Sequence, residues 1–94
     1  MIDQFIAMTR RVIDRDGFEG YQPTLLLPQR KDIRILEGVP PDVDIEAAAA
    51  NWAKRAVDAE EDFFLAFKAD AEHFKVIARV KGERYEALCP VQAA

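Results

Sequence analysis

Few residues of this chain could do chemistry: one histidine, His73, one cysteine, Cys89, and a carboxylate run at Asp58, Glu60, Glu61 and Asp62. A histidine acting as general base needs a pocket and a partner that orients its ring. His73 instead sits beside Glu72 near a turn, where a solvent-edge role is expected. A reactive cysteine needs an accessible, electropositive setting. Cys89 falls on the inward face of the last predicted strand, where small thiols serve packing. The same register puts His73 on the opposite face, so the two do not make a nucleophile–base pair. The carboxylates lie at a helix-to-strand junction with neither calcium-loop spacing nor an interleaved histidine, which reads as a solvating run rather than a metal site. Gly17, Gly20 and Gly38 form no phosphate-cradling motif. No catalytic residue, metal or cofactor is expected.

Composition supports a folded, non-membrane reading. The chain has 94 residues, half of them apolar and 32% charged, which suits a single domain over residues 1–94. One cysteine excludes an intramolecular disulfide and points to a reducing cytoplasm. No apolar run reaches the roughly 20 residues of a membrane span, and the start of the chain lacks the layout of a signal peptide. The net charge of −4 is uneven. Glu37, Asp42, Asp44, Glu46, Asp58, Glu60, Glu61 and Asp62 face only Lys54 and Arg55 across residues 37–62, whereas residues 63–94 are slightly basic. An acidic chain neutralises phosphate poorly, so nucleic acid is not an expected partner.

The elements that would position any site follow from periodicity. Ile2, Phe5, Ile6, Thr9, Val12 and Ile13 recur at helical spacing, predicting a first helix over residues 2–16 with Gly17 as terminator. Arg10, Arg11 and Arg15 complement the dipole at its end. Residues 24–27 and 32–38 read as a hairpin, with Pro23 and Pro28 limiting the first run to a short or edge strand. Its buried set is open between Leu25 with Leu27 and Thr24 with Leu26. After Pro40 and Pro41 a second helix begins at Asp42 or Asp44, both good caps. It carries Ile45, Ala48, Ala49, Trp52, Ala56 and Ala59 as an apolar stripe.

Residues 61–91 then read as a three-strand meander with period-two alternation. Gly82 and Glu83 suit a two-residue type II′ turn, pairing Val80 with Tyr85 and Ile77 with Leu88. An even loop at Asp70 and Ala71 pairs Leu65 with Val76 and Phe64 with Ile77. Phe63, Leu65, Phe67, Phe74, Val76, Ala78, Val80, Tyr85, Ala87, Cys89 and Val91 then share an inner face. The predicted fold is α+β: a two-layer sandwich in α-β-β-α-β-β-β order, its largely antiparallel sheet carrying the helices on one face.

In that register Phe64, Ile77 and Leu88 form a row across the outer face, rimmed by Lys75, Arg79 and Arg84. A contiguous exposed apolar row suggests contact with another molecule. The leading expectation is a non-catalytic protein-interaction domain, acting through the outer face or an edge strand on a protein partner or a second copy. The alternative is a small enzyme or ligand carrier with a pocket between helix and sheet near Trp52 and Tyr85. A nucleic-acid adaptor stacking bases on Phe64 stands third.

Overall fold

The computed structural model describes residues 2–37, 44, 45, 47, 48 and 61–92. These include one helix, α1 (Ile2–Asp16), and five strands: β1 (Thr24–Leu27), β2 (Asp32–Ile35), β3 (Phe63–Lys68), β4 (His73–Val80) and β5 (Glu83–Pro90). The strands form one sheet in the order β2-β1-β3-β4-β5, each neighbouring pair antiparallel. The fold is α+β with an antiparallel sheet, as the element pattern predicts. β2 and β5 are its edges. No described helix is long and apolar enough to cross a membrane.

Helix α1 buries Phe5, Thr9 and Ile13, spaced four apart. Thr9 keeps its hydroxyl satisfied in the core by donating to the Phe5 carbonyl at 2.9 Å. The helix ends where glycine permits a positive φ: Gly17 sits at +87°, and its N–H returns to the Ile13 carbonyl at 2.8 Å. Arg15 pairs with neighbouring Asp16 at 2.9 Å. Arg10 does more than face water. Its guanidinium donates to the Pro90 carbonyl and lies 5.9 Å from the centre of the Phe74 ring, tying the helix to the end of β5.

The sheet is apolar on both faces. Under α1, Phe5 and Ile13 pack with Phe64, Ala66, Phe74, Val76, Ala78 and Cys89. On the other face Leu25, Leu27, Leu36 and Leu65 form a second cluster, joined by Phe63, Phe67 and Ile45. Ile45 belongs to a helical turn that opens at Asp44. The Asp44 carboxylate accepts the Ala47 N–H at 3.2 Å, and its carbonyl accepts the Ala48 N–H at 2.9 Å. This is the cap that the sequence offers there. The rest of the expected second helix, Trp52 included, lies outside the described residues. Apolar packing expected on one face is thus divided between two.

β1 is short, as its flanking prolines require, yet it lies inside the sheet between β2 and β3. Pro23 and Pro28 stand just outside the strand, so the ladder loses no donor. Both candidate sets of β1 find cover. Leu25 and Leu27 are buried in the second cluster, and half-buried Leu26 packs against the first.

The pairing of β3, β4 and β5 differs from the expected register at both turns. Phe64 lies opposite Ala78 and Leu65 opposite Ile77, one residue from the expected partners. The cause is the loop over residues 70–72. The Asp70 carboxylate accepts the Glu72 N–H at 2.8 Å, and the Ala69 N–H donates to the His73 carbonyl at 3.0 Å, closing an odd loop. One residue of slip exchanges the faces. At the second turn Lys81 and Gly82 both have positive φ, 53° and 81°, making a type I′ turn in place of type II′. Asp62 holds it by accepting the Lys81 N–H at 2.9 Å. The pairing moves by two, so Val80 faces Glu83 and Ala78 faces Tyr85, but the sides are kept.

Candidate functional site

The expected row of Phe64, Ile77 and Leu88 does not exist. Phe64 is only 2% exposed and lies on the α1 face, its ring centre 5.2 Å from that of Phe5. Ile77 is on the opposite face and is also buried, across from Leu65. Leu88 shares that face and is exposed on the edge strand. The odd loop is the physical reason, because it rotates β3 by one position relative to β4. Base stacking on Phe64 is removed with it.

The basic rim does share one face. Lys75, Arg79, Arg84 and Leu88 all lie on the side away from α1, with Glu86 among them. Arg79 and Arg84 are directly opposed, an unfavourable cross-strand pair. Two contacts relieve it. The Arg79 guanidinium lies 5.4 Å from the centre of the Phe63 ring, and Arg84 reaches Glu86 at 3.4 Å. Glu86 also pairs with Lys75. Lys75 first, and Arg84 after it, hold the Glu86 carboxyl below the ordinary glutamate range. This lowered pKa stabilises the fold above the unfolded-state value, and the contribution is lost as pH falls through the folded value. Lys75→Met should therefore move the Glu86 midpoint upward in a carboxyl-carbon NMR titration. An unmoved midpoint would mean that the pair does not form in solution.

Of the two residues expected to frame a pocket, Trp52 lies outside the described residues. Tyr85 is on edge strand β5, 43% exposed, and its hydroxyl donates to Glu83 at 2.8 Å. Among the described residues it belongs neither to the core clusters nor to the lining of a cleft. An open cleft of about 460 Å³ lies elsewhere, where Phe18, Glu72, His73, Pro90 and Val91 meet. There Asp70 sits 2.9 Å from His73 Nδ1, an arrangement that orients an imidazole. Cys89 is buried under α1, on the other face, and burial pushes its thiol pKa up. The cleft therefore holds no cysteine nucleophile. Among the described residues no group of His, Cys, Asp or Glu is arranged to hold a metal ion.

The informative surface is the pair of edges. Among the described residues four large apolar side chains are exposed: Ile33 at 57%, Ile35 at 58%, Tyr85 at 43% and Leu88 at 61%. Two belong to β2 and two to β5. On β2, Ile33 and Ile35 alternate with Arg34 and lie on the α1 side of the sheet, opposite Leu26 and Thr24. Sequence reasoning missed them as site residues. The alternation was visible, but nothing local says that β2 is an edge whose isoleucines stay exposed. Comparison of this chain with protein-family models, curated proteins and solved structures finds no match.

Proposed function

We propose that this chain is a small non-catalytic protein-interaction domain that works through the edges of its sheet. One observation carries the reading: among the described residues, the large exposed apolar side chains cluster on the two edge strands. Edge strands offer backbone donors and acceptors that another chain can pair with, and natural proteins usually blunt them. Isoleucines on β2 add apolar area to that backbone template, which is the arrangement that strand addition uses. Burying such side chains supplies about 1.5–3 kcal/mol each if burial is complete.

The test is affinity capture from native lysate with wild-type and Ile33→Lys/Ile35→Lys baits, followed by reconstitution with the purified partner. The variant should fold normally and lose the partner, with affinity falling about tenfold or more for two charged side chains forced into an apolar contact. A partner that binds both baits equally would remove β2 from the reading. A small molecule co-purifying with the protein, with no protein partner, would favour the cleft at His73 and the ligand-carrier alternative.

A further inference from the structure

We propose that β5 is a self-association edge, on which a second copy of this chain adds antiparallel over residues 83–87 with a two-fold axis at Tyr85. The proposal rests on the edge reading above and names the partner at this particular edge.

The backbone phase comes from the turn. A two-residue type I′ turn makes Val80 and Glu83 the closing hydrogen-bonded pair. Hydrogen-bonded and non-hydrogen-bonded pairs then alternate along an antiparallel ladder. Glu83, Tyr85, Ala87 and Cys89 turn their backbone groups toward β4. Arg84, Glu86 and Leu88 turn theirs outward, to the edge that no described strand pairs with. Pro90 has the same outward phase and no N–H, so the edge carries a missing donor at its far end.

A two-fold axis normal to the sheet pairs residues of the same face, which leaves few registers. Centred on Glu86, the dimer sets that carboxylate against its own copy. Centred on Ala87, it spends Arg84 on the partner's Pro90, which cannot donate. Centred on Tyr85, it places Arg84 opposite the partner's Glu86 and repeats the pair by symmetry. Opposite charges face each other twice, and like charges are kept apart. The same register stacks Tyr85 on the partner's Tyr85. It also sets Leu88 beside the partner's Gly82, where no side chain obstructs it. Tyr85 is then covered by its own copy, and the outward groups of Arg84 and Glu86 find partners. The two five-stranded sheets become one.

The self-complementarity gives a direct test by sedimentation velocity, with circular dichroism verifying the fold of each variant. Arg84→Glu alone and Glu86→Arg alone should each weaken self-association by about tenfold or more, since each sets like charges opposite one another twice. Mixed together, these two variants should form a heterodimer, because every charge then meets its opposite. A second variant does not depend on the ion pairs. Tyr85→Cys in a Cys89→Ala background puts two thiols on the axis in a non-hydrogen-bonded pair, where the spacing suits a disulfide. It should oxidise rapidly to a covalent dimer, and Ala87→Cys in the same background should not. A wild-type chain that stays monomeric overturns the proposal. So does a dimer indifferent to both charge swaps. Loss of that dimer in Ile33→Lys/Ile35→Lys would assign it to β2, leaving the edge reading intact while the β5 assignment fails.

Discussion

Phe64→Asp should unfold this domain, and Phe64→Ala should cost about 3–5 kcal/mol, a large share of the roughly 5–15 kcal/mol that holds a domain of this size together. The ring is 2% exposed, sits against Phe5 and belongs to the cluster that joins α1 to the sheet. Removing it leaves a cavity between two rigid elements that cannot collapse into it. A carboxylate in its place, buried against the Phe5 ring, loses its hydration. The measurement is urea unfolding followed by far-ultraviolet circular dichroism. A cooperative transition for Phe64→Ala within about 1 kcal/mol of wild type would mean that the helix does not rest on this residue, since buried Phe→Ala changes cost several times that.

That expectation also moves the functional argument from a face to the edges. An exposed Phe64 would make its replacement a change in binding at constant stability. A buried Phe64 makes it a change in folding, uninformative about partners. Charge on Ile33, Ile35 or Leu88 is the informative change, because those side chains are mostly in water and their loss should leave the core alone.

What was legible in the sequence was local. Helix α1 could be read to its ends because apolar spacing, a terminal glycine and the arginines near its C-terminal end agree. Asp44 could be read as a cap, and the β1–β2 hairpin could be placed by its bounding prolines. The register of β3 against β4 could not. Phe63, Phe64, Leu65, Ala66 and Phe67 are all apolar, and the structure packs both of their faces, so alternation carried no phase. The choice then fell to the loop, where Asp70 closes a three-residue turn with its side chain. An even loop and an odd one put opposite faces under the helix. The acidic run held a similar surprise. Asp62 looked like one more solvating charge, but it accepts the N–H of Lys81 and fastens the type I′ turn. Which residues are exposed on the edges followed from strand order, and strand order is a long-range property that no local pattern states.

The second large effect tests that register. Leu65→Ala should cost about 2–5 kcal/mol, because Leu65 is fully buried in the cluster with Leu25, Leu27 and Leu36 on the face away from α1. Leu65 and Phe64 are adjacent in the chain yet serve different cores. Ile77 distinguishes them. It lies opposite Leu65, whereas the register read from the sequence pairs it with Phe64. A double-mutant cycle of Leu65→Ala with Ile77→Val should give a coupling of about 0.5 kcal/mol or more, as contacting side chains do. The cycle of Phe64→Leu with Ile77→Val should be additive to within about 0.3–0.5 kcal/mol, since the sheet itself separates the two side chains. The reverse outcome, coupling to Phe64 and none to Leu65, would restore the even loop. It would return Phe64 to the row with Ile77 and Leu88 and undo the argument from the edges.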